Sequence, residues 1–276
     1  MGDEYRPVAT IGCAYHKLEG RAISPGAGEL IIEEPLLITV AGKSVVTLMC
    51  TPGDELSLAL GYLLTEGIIS SLSDIGTIAF CREELGNVVR VSPAEGVDLL
   101  SRSDAYRTVF SSCSICGREA IQAVTSCLRP FAKPVGRLSC EAIYELGECM
   151  NSRQQYFRRT GGTHAAVLGQ IEAGRLIAGT AIMKEDIGRH NALDKAVGEA
   201  LRQKAVFDGS VLFLSGRMSF EMVAKAARAG ISDLMAISAP TALAVELAKQ
   251  LGMFLAGFAR GKSAAVYAGE EALTNE

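Results

Sequence analysis

Apolar residues dominate Leu36-Leu37-Ile38-Thr39-Val40 and Ser44-Val45-Val46-Thr47-Leu48-Met49, on either side of Ala41-Gly42-Lys43, a pattern that predicts two strands around a tight turn. The period then lengthens. Thr51-Pro52-Gly53-Asp54-Glu55 reads as a helix start, and Leu56, Leu60, Leu63 and Leu64 make an apolar stripe that ends before Gly67. Thr77 to Phe80 and Asn87 to Val91 predict a second hairpin. Residues 1–30 are glycine-rich and weakly periodic, which predicts an arm that is loosely held or packs on a partner.

The rhythm changes from Gly117 onward. Helices are expected over Gly117–Leu128 and Glu141–Asn151, followed by a hairpin from His164–Leu168 to Leu176–Met183 that turns at Glu172-Ala173-Gly174. Helix Ala192–Lys204 then precedes strand Val211–Leu214, and helix Phe220–Ala229 precedes strand Leu234–Ser238. Helix Ala242–Leu251 leads to strands Phe254–Phe258 and Ala264–Tyr267. Short apolar strands alternating with helices indicate a sheet covered on both faces. The expected organisation is an arm (1–30), a small α+β domain (31–108) and a larger α/β domain (109–276), making the chain α+β overall.

Composition narrows the class. With 49% hydrophobic and 21% charged residues and a net charge of −4, the chain reads as globular, with no basic field to draw nucleic acid. Anionic ligands would need local clusters. Met1–Ala14 lacks the apolar core of an export signal, and no stretch nears the roughly 18 apolar residues of a membrane span, so a cytoplasmic location is expected. The eight cysteines are then expected to be reduced, most of them as small buried apolar residues.

Cys113 and Cys116 form the one spacing that asks for chemistry, C-x-x-C. A helix beginning at Gly117, with Arg118 beside it, would stabilise a thiolate, and Ser111, Ser112 and Ser114 make the loop polar. Redox pairing, sulfur carriage, and a metal or inert structural role all fit that spacing. A structural zinc site lacks a second ligand pair at finger-like spacing, and Cys127 lies about 16 Å further along the expected helix.

Other clusters are less specific. Thr160-Gly161-Gly162-Thr163-His164 fits a tight turn entering a strand, with His164 satisfied in the core, or a close ligand approach. Lys184-Glu185-Asp186-Ile187-Gly188-Arg189-His190-Asn191, with Asp194 and Lys195 one turn on, fits a solvated helix start, although that leaves unexplained why His190, Asn191 and Asp194 share one side. Three segments end apolar strands: Ser215-Gly216-Arg217-Met218-Ser219, Ser238-Ala239-Pro240-Thr241 and Phe258-Ala259-Arg260-Gly261-Lys262-Ser263. Loops at strand carboxyl ends surround the ligand crevice of a covered sheet, and Gly216, Arg217, Arg260, Gly261 and Lys262 suit phosphates there.

Taken in order, these segments resemble the formate dehydrogenase accessory sulfurtransferase family (FdhD). The match comprises Phe110–Gly117, Thr160–Ala166, Glu185–Lys195, Ser215–Met222, Ser238–Thr241 and Gly257–Gly261, within a likeness that runs from about residue 30 to the end. The eleven-residue Glu185–Lys195 block is the most specific part; Ser114 departs from the glycine common in the family. The resemblance implies a cytidine deaminase-like three-layer α/β/α larger domain and a homodimer. It implies a protein that accepts persulfide sulfur from a cysteine desulfurase and passes it to the molybdenum cofactor, as bis-molybdopterin guanine dinucleotide, for the formate dehydrogenase catalytic subunit. By the same resemblance Cys113 carries the persulfide, Cys116 is its partner, and Phe258, Ala259, Arg260, Gly261, Lys262 and Ser263 contact the nucleotide; no intrinsic metal is implied.

The rival functions are a non-catalytic cofactor-binding chaperone, a thiol-disulfide oxidoreductase and a zinc-dependent nucleoside deaminase. The last needs H-x-E with P-C-x-x-C; here no H-x-E occurs and the C-x-x-C precedes His164.

Overall fold

The computed structural model describes residues 8–83, 86–102, 117–132 and 137–274. Its first element is a two-stranded ribbon, β1 (Thr10–Glu19) and β2 (Ala22–Ile31), paired antiparallel along its whole length. The expected loose arm is therefore regular structure. Its apolar positions do not alternate cleanly because the ribbon has no buried face: Ile11, Tyr15, Leu18, Ile23 and Leu30 are all exposed.

β3 (Glu34–Val40) and β4 (Lys43–Cys50) form the expected hairpin, turning on Ala41 and Gly42 at positive φ. The second hairpin, β5 (Ile75–Glu83) and β6 (Gly86–Pro93), docks beside it through a parallel β3–β6 pairing, giving the order β4-β3-β6-β5. Between the hairpins runs α1 (Glu55–Thr65), which covers the sheet face bearing Leu36, Ile38, Val40, Val89 and Val91. The leucine stripe understates its burial, since Ser57, Ala59, Gly61 and Thr65 are also enclosed.

The larger half begins with α2 (Gly117–Ser126) and α3 (Cys140–Arg153), the latter capped by Ser139 Oγ, which accepts from the amides of Glu141 and Ala142. A short α4 (Gln155–Thr160), not anticipated from the sequence, follows. β7 (His164–Glu172) pairs briefly with β8 (Arg175–Leu176) and then with β9 (Ile182–Asp186). The single return strand expected over Leu176–Met183 is thus broken, with Gly179 at positive φ in the interruption. Then come α5 (Arg189–Arg202), β10 (Ser210–Leu214), α6 (Phe220–Arg228), β11 (Asp233–Ala236), α7 (Ala242–Leu251), β12 (Phe254–Arg260) and β13 (Ser263–Ala268).

β10, β11 and β12 are parallel neighbours, flanked by antiparallel β7 and β13. Alternation sorts the side chains into two layers. Val167, Val211, Phe213, Met235 and Phe254 face α3 on one side. Ala166, Leu212, Leu214, Leu234 and Leu255 face α5, α6 and α7 on the other, completing an α/β/α sandwich in a mixed α+β chain.

That second core is continuous with the small sheet. α1 crosses α5 at two glycines: a Cβ on Gly61 would lie 1.8 Å from Asp194 O, and one on Gly198 would lie 1.8 Å from Ser57 O. The two halves are joined backbone to backbone there. Among the described residues, no helix is long and apolar enough to cross a membrane.

Candidate functional site

The carboxyl ends of β10, β11 and β12 open on one edge of the large sheet, and the loops that leave them lie side by side. Met218 N donates to Ala239 O (3.1 Å) and Thr241 N to Met218 O (2.9 Å), which ties the Ser215–Ser219 loop to Ser238–Thr241. Phe258 N donates to Ser238 O (3.1 Å), bringing in the third loop. A Cβ on Gly257 would sit 2.9 Å from Pro240 Cδ, so this approach depends on glycine. The three phosphate-suited loops of the sequence therefore form one crevice rim.

On that rim Phe258 is 51% exposed and adopts φ 51°, and Gly261 also lies in the left-handed region. The β12–β13 register shifts between Gly257 and Arg260, an irregularity that turns the strand end outward. A bulky residue at positive φ is strained, and such strain concentrates at functional positions. Arg260 is exposed. Lys262 already pairs with Glu141 at 2.6 Å and lies 5.9 Å from the Tyr144 ring, so part of its charge is neutralised.

Because β7 runs antiparallel to β10, its first residue, His164, reaches the same edge. Ser215 Oγ accepts from Ala165 N at 2.9 Å and lies 3.4 Å from His164 Nδ1. Burial, and then the Arg189 and Arg217 charges, hold the imidazole below the ordinary histidine range, favouring the neutral ring at neutral pH. A Cβ on Gly216 would fall 3.3 Å from both His164 Nδ1 and Arg189 Cβ, so Gly216 is wedged between these two side chains. His164 is thus neither a plain core histidine nor isolated. The sequence marks Gly216 and Arg217 as suited to phosphates but gives His164 and Arg189 no such role; the signal available was a Gly-Arg-His run directly after a strand.

The Glu185–Lys195 block divides in two. Glu185 accepts from Tyr156 N, Phe157 N and Thr163 Oγ1, fixing the start of α4. Asp186 accepts from the amides of Thr51 and Gly188 and from Asn191 Nδ2, and pairs with Lys195 at 2.7 Å. Asn191 Nδ2 also donates to Met49 O, and Lys195 Nζ to Thr51 O, both at 2.8 Å. Asp194 pairs with Lys225 at 2.8 Å and accepts from Thr65 Oγ1. These residues tie α5 to the small sheet and to α1. Of the block, Arg189 lies against Gly216 of the rim, while His190 lines a cavity with Asn191 and Asp194 and has its Nε2 3.1 Å from Glu221 Oε2.

Cys113 and Cys116, with Ser111, Ser112 and Ser114, lie outside the described residues. The helix that follows them in sequence is described, and it abuts the rim. Ile121 and Val124 of α2 share a cavity of about 460 Å³ with Ser219, Phe220, Glu221, Thr241 and Leu243. Val124 also lines a neighbouring cavity of about 280 Å³ with His190, Asp194 and Lys225.

The expectation that most cysteines are buried is corrected. Among the described ones only Cys50 is buried, its thiol pushed up to about 12 by burial, while Cys127 and Cys140 are exposed. Edge and helix-surface positions place them outside the core, where a small thiol carries no large desolvation cost. Among the described residues, no three His, Cys, Asp or Glu side chains converge as a metal site.

Comparison with known proteins identifies the family. Residues 31–274 match the FdhD/NarQ family. Sulfur carrier protein FdhD of Streptomyces coelicolor is 41% identical over 267 residues, covering 92% of each chain. Sulfur carrier protein FdhD of Anaeromyxobacter dehalogenans (strain 2CP-C) is 42% identical over 260 residues, covering 88% of each. The crystal structure of a Desulfotalea psychrophila protein, provisionally assigned as a formate dehydrogenase accessory protein, superposes with a TM-score of 0.76 at 22% identity, covering 96% of this chain and all of that one. On its sequence match across nearly its whole length, this chain belongs to the FdhD/NarQ family.

Proposed function

We propose that this chain is a sulfur carrier. It accepts persulfide sulfur on Cys113 from a cysteine desulfurase and delivers it to bis-molybdopterin guanine dinucleotide, in the service of a formate dehydrogenase. The names of the relatives support the carrier role, and the Cys113–Cys116 pair supplies the chemistry. The observation that carries the reading is the placement of α2. The helix directly following the C-x-x-C in sequence shares a cavity with the Ser219 and Thr241 ends of two rim loops, which supports the reading that the acceptor binds at this rim.

Two routes conserve atoms and electrons. In one, the Cys116 thiolate attacks Cys113 Sγ and expels hydrosulfide; the sulfane sulfur is reduced, the two cysteines become a disulfide, and an external dithiol resets them. In the other, Cys116 takes the terminal sulfur as its own persulfide and leaves Cys113 as a thiol. Accumulation of a Cys113–Cys116 disulfide after delivery identifies the first route.

The proposal places the reaction in the cytoplasm, with the chain as a homodimer, a state that sedimentation equilibrium reads directly. The central test is intact mass after incubation with a desulfurase and cysteine. A gain of about 32 Da that maps to Cys113 and is absent from Cys113→Ala is expected. Formate dehydrogenase that matures fully alongside Cys113→Ala would overturn sulfur carriage and favour a chaperone. Turnover of a disulfide substrate without that mass gain would favour an oxidoreductase.

A further inference from the structure

We infer that the ribbon of β1 and β2 is the surface through which two copies of this chain associate about a two-fold axis. The inference rests on the homodimer proposed above and names the contact that makes it.

The ribbon is rooted at one end only. Arg159 of α4 donates to Thr10 Oγ1 at 2.8 Å and pairs with Glu29, and Ile31 lies against Gly162. From Ala14 to Pro25 every residue is exposed, so the arm projects about 25 Å past its root with both faces in water. A two-stranded hairpin alone in water is marginally stable at best, yet these strands pair along their whole length. Among the described residues no third strand joins either edge. A covering layer supplied from outside the chain accounts for this regularity.

The side chains on the arm point the same way. Of the eleven large apolar residues exposed among the described ones, six belong to residues 8–31: Val8, Ile11, Tyr15, Leu18, Ile23 and Leu30. Leu18 and Ile23 are direct cross-strand partners at the tip, 68% and 70% exposed, and Ile11 and Leu30 are partners near the root. Between them the Tyr15 ring lies over Gly26 and Gly28, where a Cβ would meet it at 2.6 and 3.2 Å. Exposed apolar residues scattered singly are ordinary, whereas a contiguous set marks an interaction surface. Together these six side chains present about 600 Å² of surface, against the roughly 800 Å² per partner buried in a standard interface.

Charge selects a second copy as the occupant. Residues 8–31 carry Lys17, Arg21, Glu19 and Glu29, which cancel, although the chain as a whole carries −4. Lys17 pairs with Glu19 at 2.5 Å, and Glu29 is held by Arg159. A surface that recognises a foreign partner by charge presents one sign; a surface that faces its own copy must not repel itself. An isologous contact uses the same patch on both subunits, so the two apolar sets cover each other and assembly stops at two. The FdhD/NarQ match starts at residue 31 and leaves the ribbon outside it.

Sedimentation equilibrium of the full chain tests the contact. The wild type is expected to be dimeric, and Leu18→Asp combined with Ile23→Asp to raise the dimer Kd by at least about hundredfold. Ile23→Ala, a milder change, raises it about tenfold. Val206→Asp, equally exposed but away from the ribbon, keeps the wild-type value. Because Leu18 and Ile23 are exposed in the single chain, the double variant keeps the wild-type circular dichroism; its urea midpoint no longer rises with chain concentration, as that of the wild type does. A wild type that stays monomeric at about 100 µM overturns the contact and the homodimer together. A dimer whose Kd is unchanged in both ribbon variants overturns the contact and leaves the homodimer standing. Sulfur uptake on Cys113 is read on the same samples, and its absence removes the carrier reading without touching the ribbon.

Discussion

Lys225 sits between α1 and α5, with its ammonium 2.7 Å from Glu66, 2.8 Å from Asp194 and 2.9 Å from the Thr65 hydroxyl. Lys225→Met keeps the apolar stem and removes the one buried cation shared by two buried carboxylates. Breaking a buried ion pair by deleting one partner typically costs about 3–5 kcal/mol. The lower part of that range is expected here, since Arg228 remains 3.5 Å from Glu66 and methionine preserves packing. For a chain of this size the loss corresponds to a fall of about 6–12 °C in Tm.

Its pH dependence has a definite sign. Burial already pushes Asp194 up to about 6 against the opposing Lys225 charge, from an ordinary 3.8. Removing that charge raises it further. Between the unfolded and folded values the native state binds the extra proton, so stability falls as pH rises through that window. The Lys225 ammonium is held above its usual range and stays charged below it, so it adds no slope there. The deficit of the variant should therefore be largest near pH 8 and shrink by about 1 kcal/mol or more near pH 5. Urea titrations of both proteins at the two pH values read this directly. A deficit below about 1 kcal/mol at pH 8, or one that grows on acidification, would refute the assignment of this cluster as a structural ion network.

Two further outcomes follow from the packing and the rim. Gly61→Ala places a methyl carbon 1.8 Å from a backbone oxygen of α5, so α1 and α5 must separate. The expected loss exceeds about 4 kcal/mol, seen as insoluble expression or a collapsed urea midpoint; a midpoint within error of wild type contradicts the crossing. Phe258→Gly removes a bulky residue from positive φ and should raise stability by about 1 kcal/mol while weakening guanosine binding severalfold. Calorimetry and melting on the same samples check both signs, and unchanged affinity would remove Phe258 from the nucleoside contact.

The hydrophobic period marked most elements correctly, and helix α7 (Ala242–Leu251) matches its expected span residue for residue. Gly117 as a helix start and Phe220 as another were equally legible, because caps and apolar stripes are local signals. α4 was not, since its first amides are satisfied by Glu185, 28 and 29 residues away. The ribbon of residues 10–31 was missed for a related reason: a strand with no buried face has no alternation to display.

The sequence by itself determined the covered sheet, the three loops at its strand ends, the C-x-x-C before α2, and membership of the FdhD/NarQ family. Tertiary structure alone decided which charged residues serve the fold and which face the crevice. Asp186 reaches Thr51 across 135 positions and Lys225 reaches Thr65 across 160, while Arg189, three residues from Asp186 and two from Asn191, is left without a partner for its Nε. Spacing along a helix tells which residues share a side. Whether a charge on that side is neutralised depends on what the rest of the chain brings against it, and with it whether the residue stabilises the protein or waits for a ligand.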